Sequence, residues 1–158
     1  MTPRIRPYRA TDAEALAALF YRAVHVGTAG AYTAAQRAAW APHVPEVSAW
    51  DARLGAATAL VAEVDGTPAG FMTLDPDTGY IDLAFVAPEM AGHGVGRAIY
   101  DAVEEAARGA GCSRLTTAAS AVARPFFDAM GWDVIAREEV TRNDVALHRF
   151  QMRKDLTP

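Results

Sequence analysis

Three glycines, each separated from the next by a single residue, lie where a predicted strand passes into a helix. The strand is Tyr80–Val86, and the helix that follows the glycines is amphipathic. Free amides in a helix's first turn and the positive end of its dipole favour a bound anion, and glycine lets the backbone approach it closely. Arg97 and His93 would add charge-assisted hydrogen bonds. We therefore predict a phosphate or pyrophosphate site that comprises Ala91, Gly92, His93, Gly94, Val95, Gly96 and Arg97.

Two common phosphate-binding loops do not match this segment. The dinucleotide fingerprint needs G-x-G-x-x-G directly after a strand, whereas the spacing here is G-x-G-x-G and Pro88-Glu89 intervenes. The nucleoside triphosphate loop needs a G-K-S/T ending, and no lysine precedes Lys154. A glycine turn with a purely structural role remains the alternative.

The elements before this segment are predicted to be mainly helical. Ile5–Tyr8 is predicted as a short strand, and Thr11 and Thr33 each open a capping box that begins a helix. The second of these helices ends at Trp40, and a third covers Pro45–Leu54. The first helix is expected to bury one stripe at helical spacing, made by Leu16, Leu19, Phe20, Ala23 and Val24.

Strand patterns predominate in the rest of the chain. A long helix begins after the glycines and ends near Gly109 or Gly111, and Pro125–Met130 forms a short one. Strands are predicted at Ala59–Val64, Gly70–Leu74, Tyr80–Val86, Leu115–Ala118, Asp133–Thr141 and Val145–Arg153. This order predicts one domain over residues 1–158, an α/β (α+β) fold with a mixed sheet flanked by helices.

Composition is that of an ordinary globular domain. The chain has 158 residues, of which 51% are hydrophobic and 22% charged, with a net charge of -4. An acidic chain without a basic stripe does not favour nucleic acid as a partner, and no apolar run is long enough to span a membrane. Cys112 is the single cysteine, so we expect no internal disulfide, no cysteine metal site and a cytoplasmic location.

Two segments resemble a known family. Leu83–Arg97 resembles the acetyl-CoA-binding motif of the GNAT superfamily of N-acetyltransferases, whose loop has the pattern Q/R-x-x-G-x-G/A, matched at Gly94 and Gly96. Ser120–Trp132 resembles the family's N-x-x-A-x-x-x-Y-x-x-x-G-F segment. The order of elements also agrees, so the resemblance covers nearly the full chain. Phe20–Val24 together with Tyr32, Gln36 and Trp40 resembles a bacterial GNAT subgroup of YafP-like proteins.

The resemblance implies a GNAT-like, mostly antiparallel sheet and an acetyl-CoA-dependent N-acetyltransferase that uses no metal. The acetyl group would pass to a primary amine of a small molecule or peptide by direct attack in a ternary complex. Backbone amides near Phe85 and Val86 would polarise the thioester carbonyl. Ala91, Ser120 and Phe127 depart from the family pattern, because Gln or Arg, Asn and Tyr are usual at these positions. We expect Ser120 to bond the pantetheine arm and Phe127 to pack against the coenzyme's thioethyl end.

Five further side chains are candidates for the reaction itself. Asp82 is the first candidate for the base that takes the amine's proton, and Tyr80, on the same strand face, would position a water. His25, Tyr32 and Trp40 are candidates for the substrate wall. The alternatives are a solvent-facing or arginine-paired Asp82, an incidental histidine, and core packing of the two aromatic residues.

Two other functions stay open on sequence grounds. Ala91 and Phe127 also fit a catalytically degenerate acyl-CoA-binding regulatory module. An acetyltransferase that acts on aminoacyl-tRNA is the third possibility, and the acidic charge opposes it. The C-terminal hairpin and Trp132 leave a homodimer open.

Overall fold

A computed structural model describes residues 2–156. The first half of the chain forms one strand and three helices. These are β1 (Arg4–Pro7), α1 (Ala13–His25), α2 (Ala34–Trp40) and α3 (Val47–Gly55). The second half forms β2 (Thr58–Val64), β3 (Thr67–Asp75), β4 (Tyr80–Val86), α4 (Val95–Gly109), β5 (Arg114–Ala119), α5 (Arg124–Ala129), β6 (Asp133–Arg142) and β7 (Val145–Asp155).

The strands form one seven-stranded sheet in the order β1-β2-β3-β4-β5-β7-β6. All neighbouring pairs are antiparallel except β4 and β5, which are parallel. The predicted mixed, mostly antiparallel sheet is confirmed, and each predicted strand is found within three residues of its predicted ends.

Strands β4 and β5 separate shortly after they meet. Within the described residues their pairing is limited to Tyr80 with Thr116 and Ile81 with Thr117, although β4 continues to Val86. A β-bulge lies where they part, since the register between β3 and β4 shifts between Met72 and Leu74. Bulges bend a strand and re-aim its side chains. The bend therefore opens a gap in the middle of the sheet.

Buried hydrogen bonds support the bulge. The Leu83 amide, displaced from the regular ladder, donates to Thr73 Oγ1 at 3.0 Å. Thr117 Oγ1 donates to the Ile81 carbonyl at 2.8 Å. Both threonines are buried, and a buried backbone group without a partner would be costly. These two side chains therefore allow the strands to diverge without leaving polar groups unpaired.

Helices cover both faces of the sheet. Helices α1 and α3 pack on one face against Val61, Phe71 and Leu83. Helix α4 packs on the other face, in a cluster that includes Met72 and Ile81. Neighbouring residues in a strand point to opposite faces, so the two cores follow from the alternation along β2, β3 and β4. All five residues of the predicted α1 stripe are buried.

Helix α2 packs against the C-terminal hairpin, β6–β7, rather than against the centre of the sheet. Asn143 Nδ2 in the hairpin turn donates to the Ala39 carbonyl at 3.0 Å. Gln36 Nε2 donates to the Ala146 carbonyl at 3.1 Å. Leu147, Ala39 and Tyr32 form a small buried cluster between them. The hairpin and α2 thus form one wall beside the gap.

One of the two predicted capping boxes is wrong. At α2 the box is confirmed, because the Gln36 amide donates to Thr33 Oγ1 at 3.1 Å and Gln36 Oε1 accepts from the Thr33 amide. At α1 the N-cap residue is Asp12 rather than Thr11, and its side chain caps no amide of the helix but accepts from the Arg9 amide at 2.9 Å. Arg6 binds the same carboxylate with two 2.7 Å hydrogen bonds. The buried Arg6–Asp12 ion pair therefore fixes the start of α1, and the local sequence pattern does not predict it.

Candidate functional site

A cavity of about 310 Å³ fills the gap between β4 and β5. Its floor is the strand pair, through residues such as Asp82 and Thr117, and its far wall is the β6–β7 hairpin. Aromatic side chains from α1 and α2, Phe20 and Trp40, close a third side. A concave site with apolar walls and a few polar groups is the usual form of a small-molecule site.

The glycine loop lies at the end of β4, next to this gap. Gly92 and Gly94 have φ of 79° and 81°, the left-handed region that favours glycine. An added Cβ at either position would have no neighbour within 4 Å, so space in front of the backbone is open. Gly94 is the N-cap of α4 and supplies no side-chain cap. The first amides of a 15-residue helix are therefore left for an external acceptor.

Gly96 has a different role from the other two glycines. A Cβ there would lie 3.4 Å from Phe126 and 3.6 Å from Val86. An added Cβ would therefore make ordinary contacts with β4 and α5, and Gly96 does not have the left-handed φ of the other two glycines. Ala91, His93 and Arg97 are exposed around the loop, and Val95 is buried beneath it.

The amides of β4 alternate between β3 and the gap. The Ala87 amide donates to the Ala69 carbonyl of β3 at 2.8 Å. Since amide direction alternates along a strand, the Val86 amide faces the gap and the Phe85 amide faces β3. The family resemblance implies that both amides lie at the thioester. The structure corrects this for Phe85, which lines the cavity with its ring instead.

Asp82 faces the cavity and is paired with an arginine. Arg53 of α3 donates from Nε at 3.1 Å and from Nη2 at 2.9 Å, both to Asp82 Oδ2. Roughly half of each side chain is exposed, with 48% of Arg53 and 44% of Asp82 accessible. Among the described residues Oδ1 has no hydrogen-bond partner, so one oxygen of this cavity-lining carboxylate is available to accept a proton or a water.

Tyr80 lines the cavity beside Asp82. Burial, with the negative charge of Asp82, raises the pKa of its phenol. No described residue makes a hydrogen bond to its hydroxyl. Tyr80 is therefore a protonated donor near neutral pH, and this geometry suits an oriented water or an acceptor group.

Tyr32 and Trp40 lie at the cavity, and His25 does not. The Tyr32 hydroxyl donates to the His148 carbonyl at 2.9 Å and accepts from the Ala121 amide at 2.9 Å. It therefore joins the hairpin to the β5–α5 loop, and its ring meets Trp40 edge-on at 5.7 Å. His25 Nε2 lies 2.6 Å from the Ala41 carbonyl, outside the cavity, so the structure does not support His25 as a substrate residue.

Phe127 and Ser120 lie on the α5 side of the cavity. Phe127 is 2% exposed and packs against Trp132 with ring centres 4.8 Å apart. Ser120 Oγ accepts from the Ala123 amide at 3.1 Å. That bond leaves the Ser120 hydroxyl hydrogen for another acceptor.

Three arginines of the cavity wall were missed in the sequence. Arg53, Arg142 and Arg149 all line the cavity, and they come from α3, β6 and β7. The polar residue at every second position of the hairpin is an ordinary strand pattern. Nothing local distinguishes these arginines from solvent-exposed ones, because only the tertiary packing brings them together.

Two classes of site are not found in the described part of the chain. Within residues 2–156, no group of three or more His, Cys, Asp or Glu side chains is placed to hold a metal ion. None of the helices described there combines the length and apolar character that crossing a membrane requires.

Comparison with known proteins agrees with the family resemblance. A family model described as "Acetyltransferase (GNAT) domain" matches residues 28–156. The uncharacterized N-acetyltransferase YafP of Escherichia coli (strain K12) is 32% identical over 150 residues, which cover 95% of this chain and 94% of that protein. The resemblance to the YafP-like subgroup is therefore confirmed.

Solved structures show the same fold. A GCN5-related N-acetyltransferase from Rhodopseudomonas palustris has a TM-score of 0.92 and 35% sequence identity, covering 99% of this chain and 97% of that one. The putative acetyltransferase yncA from Salmonella typhimurium, solved with its cofactor acetyl-CoA, has a TM-score of 0.78 and 18% identity, with coverage of 100% and 96%. At this lower identity the likeness shows the fold alone.

Proposed function

The chain belongs to the GNAT acetyltransferase family, and from this premise we propose that it transfers an acetyl group from acetyl-CoA to a primary amine in the gap between β4 and β5. The observation that carries the proposal is the position of the glycine loop. Its open, glycine-bordered amides lie at the end of the strand that forms the cavity floor. A pyrophosphate on the loop and a thioester in the cavity would thus be held by one continuous segment.

We name the two sides of this site by their proposed ligands. The coenzyme side is the segment 84–97, and the acceptor side is the group Tyr32, Trp40, Arg53, Arg142 and Arg149. On the coenzyme side the loop amides would bind the pyrophosphate, and the open space in front of Gly92 and Gly94 fits this role. Ala91 adds no polar side chain, so the backbone must suffice there.

In the proposed reaction the amine nitrogen attacks the thioester carbonyl carbon. The C–N bond forms, the C–S bond breaks, and the proton leaving the nitrogen passes to Asp82 Oδ1 or to a water that it orients. The gap-facing Val86 amide would donate to the carbonyl oxygen as charge develops on it. Holding both reactants in line contributes roughly 7 to 11 kcal/mol to lowering the barrier.

The leaving thiolate does not need a tyrosine at position 127. A thiol with a pKa near that of cysteine, about 8.5, is a tolerable leaving group at neutral pH. The Tyr32 hydroxyl is committed to two backbone groups. Tyr80 remains as a protonated hydroxyl in the cavity, and water is the other proton source.

Calorimetry and a thiol-release assay test the proposal. Acetyl-CoA should bind the wild-type chain, and Gly94→Asp should weaken binding about a hundredfold through backbone strain and repulsion of phosphate. Gly111→Asp is the matched control, since it adds the same charge at another open position with a left-handed φ, 83°, outside the glycine loop. Binding without thiol release from any amine would instead support a degenerate acyl-CoA-binding module. Unchanged affinity in Gly94→Asp would remove the loop from the proposal.

A further inference from the structure

The cavity wall carries more positive than negative charge. Three arginines line it, whereas Asp82 is the single carboxylate among its described lining residues. The chain as a whole has a net charge of -4. This local excess therefore runs against the overall charge, and it concentrates where the acceptor would bind.

Two of the three arginines already have carboxylate partners. Arg53 pairs with Asp82 at 2.9 Å. Arg149 Nε donates to Glu138 Oε1 at 2.5 Å, and Gln151 donates to the same oxygen. These pairs leave little net charge at either arginine. Neither guanidinium is the first choice for an added anion.

Arg142 is the arginine whose charge remains uncompensated. Within residues 2–156 no carboxylate lies at ion-pair distance from it, and its side chain borders the cavity together with Val140 on the same strand face. The position is well fixed, because Arg142 pairs with Val145 across the turn and Asn143 ties that turn to α2. An exposed, unpaired guanidinium on a fixed strand position at a cavity is suited to bind a carboxylate or phosphonate with two hydrogen bonds.

The unpaired charge of Arg142 disfavours acceptors that carry further positive charges, such as polyamines, and favours acceptors that bring an anion. We propose that the acceptor is an amine that also carries a carboxylate or a phosphonate, and that Arg142 binds this anionic group. The inference rests on the proposed acetyl transfer.

The aromatic wall of the cavity indicates what lies between the amine and the anionic group of the acceptor. Phe20 and Phe85 meet edge-on at 4.9 Å, and Trp40 lies 6.2 Å from Phe85. Aromatic walls favour an apolar body. Amino acids with apolar side chains combine the amine, the anionic group and an apolar body that fits the aromatic wall. They therefore serve as the probes.

The test compares acceptors that differ in the anion alone. Thiol release is measured with L-phenylalanine, L-methionine and L-leucine, with their carboxamides, and with the corresponding amines that lack the carboxylate; aminoalkylphosphonates form a second anionic set. We expect kcat/KM to be at least tenfold higher for the anionic set. Arg142→Gln should lower it at least tenfold for these acceptors and less than twofold for the carboxamides, with Arg142→Lys between the two. Arg137→Gln, an exposed arginine of β6 outside the cavity, is the control.

Different failures separate the inference from the proposed function. Equal turnover of acids and carboxamides, or a preference for diamines, would overturn the inference and leave acetyl transfer standing. A weaker calorimetric affinity of Arg142→Gln for acetyl-CoA would assign this arginine to the coenzyme and would also overturn it. If acetyl-CoA binds but no amine of any set releases thiol, the proposed function fails, and the inference fails with it.

Discussion

The coenzyme side and the acceptor side of the site are built in different ways. The coenzyme side comes from one continuous segment and presents mainly backbone, with glycines at 92 and 94 and the gap-facing amide of Val86. The acceptor side presents side chains from α2, α3, β6, β7 and the loop before α2. A backbone site tolerates side-chain changes as long as its conformation persists. A side-chain site changes with single substitutions.

This difference explains how much could be predicted. The glycine loop was predicted because its chemistry is contiguous, so the strand, the loop and the helix are visible together. The three cavity arginines were missed because residues 53, 142 and 149 are distant in sequence. His25 was predicted at the substrate wall but is not among the residues that line the cavity, since no local signal shows which side of the helix end meets it. The element order and the mixed, mostly antiparallel sheet were predicted, whereas the position of β7 between β5 and β6 and the bulge opposite Thr73 were not.

Phe127 lines the cavity from α5, and its removal should have the largest effect. Its side chain is almost fully buried against Trp132, Tyr100 and Phe126. Phe127→Ala should reduce the free energy of unfolding by about 3 to 5 kcal/mol through loss of burial and an unfilled cavity. Denaturant unfolding measures this change.

Phe127→Tyr tests the chemistry at the same position. We expect thiol release to change by less than about tenfold, or about 1.4 kcal/mol of barrier. A gain of a hundredfold or more would show that the missing tyrosine limits the natural chain. The degenerate-module alternative would then be favoured.

Asp82 tests whether a side chain near the coenzyme segment takes part in the reaction. Asp82→Asn should lower turnover by about a hundredfold or more, the usual lower range for a general base, with little change in acetyl-CoA affinity. Asp155→Asn is the matched control, because it breaks a comparable exposed pair with Arg114 outside the cavity. Turnover that stays near the wild-type value from about pH 6 to 9 would make Asp82 a structural partner of Arg53.

Substitution of Tyr32 tests how the acceptor side is held together rather than how it reacts. Tyr32→Phe leaves the Ala121 amide and the His148 carbonyl without their shared partner. An unsatisfied buried group costs about 1 to 3 kcal/mol, so we expect a loss of about 2 kcal/mol in unfolding free energy. Tyr21→Phe serves as control, since no described residue makes a hydrogen bond to the Tyr21 hydroxyl. Equal, small losses in both variants would show that the Tyr32 hydroxyl does not stabilise the contact between the hairpin and the β5–α5 loop.

The smallest expected effect is the sharpest test of a backbone-made coenzyme side. His93 is exposed in the middle of the loop, and its side chain is a candidate for a phosphate contact. If the backbone amides dominate, His93→Ala should change acetyl-CoA affinity by less than about threefold, or about 0.7 kcal/mol.

Gly92→Ala removes no polar group and adds one methyl, yet it must hold a φ of 79°. That conformation costs an alanine roughly 1 to 2 kcal/mol, so the loop should shift and affinity should fall about tenfold. Calorimetry on both variants at the same ionic strength shows which substitution weakens acetyl-CoA binding more. A larger loss in His93→Ala than in Gly92→Ala would mean that side chains carry the pyrophosphate, and the contrast between the two sides would no longer hold.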